Sequence, residues 1–324
     1  MKNQYLTNPR CNIVQRETTF RTRVSTYYEL SKPKIWYLLV FTAFGAAFTA
    51  SNIYDVPISS VTWALVLSSV AAGSAAANVL TNYHDRDIDA IMERTKGRPI
   101  PSGRIKPHDA RNFGLVLAII SLLTAGAISL VTTPVQGAWA TVFIAFGLAN
   151  NVLVYSYGLK RKSRSNIILG GLCGGSPPLI GWVAVTTSDM WTMGLAMAGL
   201  VFIWIPMHIW ALTLHFKEDY NRVNVPMLTA VESEKVAVRA IAASTVIMVI
   251  FSMAPIFITL EDGSLAARDI YMWTAALSGS LMLVLSGWVV LNPREKAAWV
   301  LFKFSSPYLA ILFVALMVDS SFRP

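Results

Sequence analysis

The stretch Asn78–Arg104, NVLTNYHDRDIDAIMERTKGRPIPSGR, decides how the rest of this chain is read. It begins inside an apolar run and ends in a basic, proline-broken loop. On a helix turning about 100° per residue, Asn78, Asn82, Asp85 and Asp89 fall within roughly 60° of one another, and Asp87 falls on the opposite side. One stripe therefore carries two amides followed by two carboxylates. Carboxylates one turn apart repel unless a cation lies between them. Hard oxygen ligands suit Mg²⁺, which keeps several waters and shares itself with substrate phosphates. The stripe thus predicts a metal site drawn from Asn78, Asn82, Asp85 and Asp89. Arg94, Lys96, Arg98 and Arg104 follow at once. Acids that hold a metal, followed by guanidinium and ammonium groups, suit a diphosphate, which the acids grip through the metal and the bases grip directly. The plainer alternative is a solvated, mixed-charge cap on a membrane helix.

Composition sets the medium. The 324 residues are 54% hydrophobic and 14% charged, with a mean hydropathy of +0.51, which marks a membrane protein rather than a soluble domain. Nine apolar segments are long enough, or nearly so, to cross about 30 Å of hydrocarbon: 35–51, 60–82, 113–132, 137–155, 167–186, 191–214, 236–258, 270–292 and 298–319. Pro177-Pro178 predicts a break or kink in the fifth. Of the 27 Lys and Arg, all but Arg268 and Arg323 fall in the N-terminal segment, in the connections after the even-numbered spans, or close to their membrane ends. The other connections carry Asp55, Asp189, Glu261, Asp262 and Asp269. This asymmetry predicts an all-α integral membrane protein with its N-terminus in the cytoplasm and its C-terminus outside. It also accounts for the net charge of +9 with no nucleic acid involved. Residues 1–34 read as a polar cytoplasmic tail and 35–324 as the membrane domain. The tail lacks the apolar core of a secretory signal, and its Arg-rich, acid-poor composition keeps a mitochondrial transit peptide as the alternative. Cys11 in the tail and Cys173 in an apolar span predict no disulfide.

A second polar stretch closes the sixth span: residues 204–228, WIPMHIWALTLHFKEDYNRVNVPML. His208 lies inside the apolar run. There an imidazole serves as a heme ligand, a proton relay or a hydrogen-bonded packing residue, and its burial is costly enough to favour a role. Lys217, Glu218, Asp219 and Tyr220 follow, either as a second acidic cluster or as an ordinary helix end. After the fourth span, Lys160 and Arg161 in YSYGLKRK (155–162) either contact the diphosphate or only mark the inner face. The same two readings apply to Lys32-Pro33-Lys34 at the mouth of the first span.

Taken together these stretches resemble the UbiA-type intramembrane prenyltransferases, and within them the branch that farnesylates heme. The resemblance is carried by ELSKPKI (29–35), TNYHDRDIDAIMERTKGRPIPSGRI (81–105), YSYGLKRKSRSNIILGGLCGGSPPLIGW (155–182) and HIWALTLHFKEDYNRVNVPML (208–228). The third span onward to the sixth is thus covered with the first two, and the last three match only as apolar helices. Relatives acting on quinone precursors or lipid alcohols carry a second aspartate-rich motif where this chain has Asp219 alone, with His208 upstream. Two departures stand out. Thr81 occupies the position where the superfamily usually has Asn, leaving Asn82 or Asn78 to supply the amide. Met207 separates Pro206 from His208.

The resemblance implies nine transmembrane helices around a central cavity open to the cytoplasmic side. It implies Mg²⁺-dependent transfer of a farnesyl group from farnesyl diphosphate to a vinyl group of heme B, with addition of water, giving heme O and diphosphate. In that scheme Asp85 and Asp89 hold the metal with an amide. Arg94, Lys96, Arg98, Lys160, Arg161 and Lys217 hold the diphosphate. His208 binds heme, and Asp219 or Tyr220 orients water or diphosphate. The implied location is the cell membrane, with heme A synthase a partner to expect. The competing readings are a prenyltransferase for a quinone ring or lipid alcohol, a membrane transporter, and a heme electron carrier. Against the transporter, the carboxylates lie at one mouth rather than at the midplane.

Overall fold

The structure is a computed structural model that describes residues 20–322. Cys11 and most of the predicted tail lie outside the described residues. The part of the tail that is described is helical: α1 spans Phe20–Leu30. The chain then reverses at Lys32, whose φ of 54° is left-handed, and enters α2 (Pro33–Tyr54) with proline in its first turn, where the missing amide hydrogen costs nothing.

Helix α3 (Ser60–His84) starts at Ser59, whose hydroxyl accepts the Thr62 amide at 3.0 Å. It bends at Asp85 into α4 (Arg86–Ile91). Helical hydrogen bonding runs through the junction: the Asp85 amide donates to the Thr81 carbonyl at 2.9 Å, and the Asp89 amide to the Asp85 carbonyl at 2.8 Å. The acids therefore keep their helical phase. Next come α5 (Pro107–Ala127) and α6 (Pro134–Ala149), the latter opened by a Thr133/Gln136 capping box. α6 continues through Asn150–Leu159 with wider π winding, seen in the Lys160 amide donating to the Tyr155 carbonyl at 2.8 Å. Such winding recurs at functional sites.

The fifth apolar segment is where structure and expectation part. Its winding is helical throughout but changes in character: α7 (Asn166–Gly170), a tighter 3₁₀ stretch over Gly171–Gly175, and α8 (Ser176–Val183). Proline at 177 and 178 removes two backbone donors, and glycines let neighbours press in. A Cβ on Gly174 would lie 2.4 Å from Ile205 Cδ1, and one on Gly181 would lie 2.0 Å from the Ala43 carbonyl oxygen of α2. The remaining elements are α9 (Leu195–His215), α10 (Lys217–Arg222), α11 (Leu228–Val231), α12 (Glu234–Ser252), α13 (Asp269–Leu291) and α14 (Glu295–Ser321). Among the described residues eight helical runs, rather than nine, are long and apolar enough to cross a membrane, and the chain is a multi-pass membrane protein. The only β pairing among them is an isolated bridge between Thr259 and Leu265.

Two apolar clusters position the site. The larger runs through the bundle and includes the small-residue face Ala43, Ala46, Ala47 and Ala50 of α2. Small residues allow the close helix approach that packing in lipid relies on. The smaller joins Leu30, Val79, Ile100, Ile105 and Ala110, with Tyr27 edge-on to Phe113 at 4.9 Å. This second cluster pins α1 and the loop after α4 against the end of α3.

Because Gly181 meets backbone rather than a movable side chain, Gly181→Ala should force α2 and α8 apart and destabilise by about 1–3 kcal/mol. Gly287, with nothing within 4 Å, is the control. Thermal unfolding in detergent should show a lowered midpoint for Gly181→Ala and an unchanged one for Gly287→Ala.

Candidate active site

The bend after α3 delivers its acids as the helical phase requires. Asp85 is 1% exposed and Asp89 3% exposed, whereas the Asp87 side chain is 61% exposed. Each buried acid meets a cation from a distant segment. Asp85 pairs with Lys160, at the end of the π-wound stretch, and Asp89 accepts Arg98 Nη1 at 2.7 Å. A buried carboxylate is tolerated only when paired and hydrogen-bonded, so the two pairs stitch α3/α4 to the end of α6 and to the following loop. Burial pulls the Lys160 ammonium down, but Tyr155 and Asp85 outweigh it and hold it above the usual lysine range.

The amides divide. Asn82 donates to the Leu30 carbonyl at 2.9 Å and accepts Arg98 at 3.4 Å, which places it beside Asp89 and ties α1 to the site. Asn78 turns back onto the Ser74 carbonyl at 2.9 Å. It lines a small cavity of about 90 Å³ together with Ile35, Leu39, Val70, Ile144 and Asn151. Thr81 is hydrogen-bonded to Asn151 at 3.2 Å and to Ser156 at 2.9 Å, so an amide does face the position where Thr81 stands.

The predicted bases also divide. Arg161 clamps Asp87 through both guanidinium nitrogens, at 2.7 and 2.6 Å, on the outer side of the bend. That clamp holds the Asp87 carboxyl well below the usual carboxylate range. Arg161 reaches the interior only as far as 3.9 Å from Asp85 Oδ1. Lys96 is exposed and paired with Glu93 at 2.5 Å. Arg94 leans on the Phe216 ring, 5.3 Å from its centroid, and on the Tyr220 hydroxyl at 3.4 Å. Lys217 is half-buried on α10. Arg104 grips Glu29 of α1 through two hydrogen bonds of 2.5 and 2.8 Å, which fastens the loop but leaves it little freedom for a ligand.

Asp219 has a definite occupation. Its two oxygens accept the backbone amides of Glu93 and Arg94 at 3.2 and 3.1 Å. The second polar stretch is thereby tied to the first loop, with Asp219 held to the backbone of Glu93 and Arg94.

His208 lies between α9 and α14. Its Nδ1 is 2.6 Å from the Ser305 hydroxyl, which itself donates to the Phe302 carbonyl at 2.7 Å. With its single hydrogen so used, Ser305 accepts from Nδ1–H, and Nε2 is left as the lone-pair nitrogen. The imidazole belongs to a ladder of near-parallel rings. Trp204, His208, Phe302, Trp299 and His215 follow one another at centroid spacings of 4.1, 4.4, 5.1 and 4.6 Å. Phe216, 4.5 Å from His215, joins the ladder to Arg94 and so to the acidic rim.

Lys32 is the residue whose place the sequence left open. Held at the left-handed turn before α2, it feels both acids and both of their partners. Burial, then Arg98 and Lys160, push its ammonium well below the usual lysine range against the pull of Asp89 and Asp85. No carboxylate pairs with it among the described residues. Only the Lys-Pro pair opening the first span hinted at this position.

The donor set fits a divalent metal shared with a ligand. Asp85 Oδ1 is buried without a hydrogen-bond partner. Among the described residues no group of three His, Cys, Asp or Glu side chains gathers to hold a metal unaided. One or two carboxylates with substrate oxygens and waters is the environment Mg²⁺ ordinarily takes.

An acid and base rim over an apolar, lipid-facing helical bundle defines an intramembrane enzyme for an anionic, lipid-like substrate. Residues 38–313 match the UbiA prenyltransferase family, and the chain belongs to that family. It is 72% identical over 310 residues to protoheme IX farnesyltransferase 2 of Cenarchaeum symbiosum (strain A), covering 96% of this chain and 100% of that protein. In fold it is similar to the solved structure of a membrane digeranylgeranylglyceryl phosphate synthase, with a TM-score of 0.69 at 20% identity over 92% of this chain and 99% of that one. A UbiA homolog from Archaeoglobus fulgidus, bound to DMAPP and Mg²⁺, gives a TM-score of 0.56 at 14% identity over 90% and 99% of the two chains.

The two arms of the bend should respond differently to loss of a cation. Lys160→Met strands the buried Asp85 and should cost about 3–5 kcal/mol. Arg161→Met releases the exposed Asp87 and should cost no more than about 1 kcal/mol. Denaturation midpoints of the two variants, with Asp85→Asn/Lys160→Met restoring much of the loss, check the assignment.

Proposed function

We propose that this chain transfers a farnesyl group from farnesyl diphosphate to a vinyl group of heme B, yielding heme O and diphosphate. The observation that carries this reading is the rim itself: two buried acids, an unpaired Lys32, and an Asp85 oxygen with no partner, set beside an apolar cavity and linked by aromatic rings to His208. The relative at 72% identity bears the name of that reaction.

Asp85, Asp89 and the Asn82 amide are the groups that would hold Mg²⁺, which supplies charge neutralisation of the diphosphate oxygens when bound. Lys32, Arg94, Arg98 and Lys160 stabilise the negative charge that grows on the leaving group, and preorganised charge in a dry site is commonly the largest catalytic contribution. As the C–O bond breaks, diphosphate departs with the electron pair. The terminal vinyl carbon of heme B bonds to the allylic carbon, and positive charge passes to the carbon beside the pyrrole. Water adds there and loses a proton, which leaves the hydroxyl of heme O. The apolar cavity takes part of the prenyl chain. His208 offers Nε2 to the heme iron while Ser305 fixes its ring. Asp219 positions Arg94, and Tyr220 backs the same guanidinium.

We place the broken segment 166–183 as a further crossing, which makes nine around the cavity, with the N-terminus and the rim on the cytoplasmic side of the cell membrane. The basic residues gathered at that rim support the orientation. The polar tail with α1 then precedes the membrane domain. Heme O is the substrate expected by a heme A-forming enzyme, a natural neighbour in the same membrane.

The direct test is incubation of the purified protein in lipid with heme B, farnesyl diphosphate and Mg²⁺, followed by mass analysis of extracted porphyrins. Heme O should form, and absence of any farnesylated porphyrin would dismiss the reading. Asp85→Asn and Asp89→Asn should each lower turnover by about 10²-fold or more, whereas Asp87→Asn should stay near wild type. Lys32→Met should raise the KM for farnesyl diphosphate about tenfold, as expected when a charged contact to an anion is removed. His208→Ala should alter the absorption spectrum of bound heme, and an unchanged spectrum would remove His208 as the iron ligand.

A further inference from the structure

Helix α14 carries one formal charge between its first turn and Asp319: Lys303. It stands eight residues past Glu295, about 12 Å along the axis. The side chain is exposed on an otherwise apolar surface, with Nζ 5.0 Å from the centroid of the Trp299 ring. No carboxylate pairs with it among the described residues. An ammonium in such a place is expensive unless it reaches the interface or meets an anion. Trp299 is itself a rung of the ring ladder that leads through Phe302 to His208. Lys303 lies two residues from Ser305, the residue that orients His208, so the two differ by only about 3 Å in depth.

Taking as given that the chain acts on heme, the ligand that reaches His208 carries two carboxylates at the edge of an apolar macrocycle. From this juxtaposition we propose that Lys303 is the docking point for a porphyrin carboxylate, the second pole of a heme-binding face whose first pole is the Nε2 atom of His208. The two poles orient the macrocycle: the iron is drawn to α9, the propionate edge to the outer face of α14, and the opposite, vinyl-bearing edge is turned away from Lys303. Lys303 is thus a specificity-determining residue that separates a porphyrin dicarboxylate from the neutral aromatic or alcohol acceptors of similar bulk. An anionic lipid headgroup offers the same negative charge to the same ammonium, and the test separates the two sources.

Heme binding is read by absorption titration, which needs no turnover, using the full chain in vesicles of neutral phosphatidylcholine and in the same vesicles mixed with phosphatidylglycerol. Heme B is compared with its dimethyl ester, in which both carboxylates are masked. Wild type should bind heme about tenfold more tightly than the ester, the discrimination expected of one charge-assisted contact. Lys303→Met should bind both alike, at the level of the ester, and Lys303→Arg should keep the preference. An unchanged melting temperature for Lys303→Met separates this effect from misfolding, and Lys303→Gln serves where the Met variant is unstable. Equal binding of heme and ester by wild type, or a preference that survives in Lys303→Met, overturns the proposal. So does an effect of the substitution that appears only with phosphatidylglycerol, which would give Lys303 to a lipid headgroup. A wild-type protein that binds neither porphyrin overturns the heme reading as a whole.

Discussion

Two carboxylates withdrawn from water at the end of an apolar bundle must each find a cation, and the architecture of the rim follows from that requirement. Asp85 and Asp89 sit one turn apart across the junction between α3 and α4, so their partners have to come from elsewhere in the chain. Lys160 arrives on the π-wound extension of α6, and Arg98 arrives on the loop after α4. That loop is long and polar, and by itself would be mobile. It is held on three sides: Ile100 and Ile105 are packed under α1, Arg104 is gripped by Glu29, and Asp219 binds the amides of Glu93 and Arg94. The wide winding of Asn150–Leu159 likewise shifts the register of the α6 end, so that Ser156 and Lys160 both face α3.

Much of the rim was legible because its acids share one helical phase across the α3/α4 junction. The 100° phase that groups Asp85 with Asp89 and sends Asp87 away needs no tertiary information, and the hydrogen bonds that run through Asp85 preserve it. The partners were not legible in the same way. Arg161 and Lys160 are adjacent in sequence and equally basic, yet one clamps the exposed Asp87 and the other the buried Asp85. Only the turn at the end of α6 decides between them. Asp219 reads from sequence as a catalytic or metal acid, but its function as a clamp depends on contacts to residues more than a hundred positions earlier. Lys32 needed the left-handed turn before Pro33 to be aimed into the site. Asn151 answered the question raised by Thr81 only once α6 was laid beside α3. Hydropathy counts the fifth segment as a span like the others, but it does not show that its glycines and Pro177-Pro178 divide the winding into short α and tighter pieces.

Helix α9 links the interior of the bundle to the rim. Its interior carries His208 at a depth where an imidazole has few alternatives to its Ser305 partner. Its end leads directly into α10, where Asp219 secures the loop that bears Arg94 and Arg98. Between them runs the ring ladder, which is apolar enough for a lipid environment and flat enough to face a planar ligand. A displacement of α9 would therefore be felt at both ends, at the rim through Asp219 and in the interior through His208.

The charge balance at the rim indicates which kind of ligand it is built for. Asp85 and Asp89 contribute two negative charges, which Lys160 and Arg98 balance, while Arg94 adds a positive one and Lys32 a buried amine that an arriving anion would favour in its charged form. A site meant to hold a cation by itself would carry the opposite excess, as the carboxylate-rich sites of Ca²⁺-binding proteins do. Here the acids are already covered, the surplus is positive, and one Asp85 oxygen is left open. Such a rim attracts an anion first and offers its carboxylate to whatever cation that anion shares. Because the surroundings are apolar, the surplus is poorly screened and acts over a longer range than it would in water. The apolar cavity beside the rim then selects, among small anions, those that carry a hydrocarbon chain. Headgroup and tail are thereby recognised by separate parts of the fold, and bond cleavage is confined to the boundary between them.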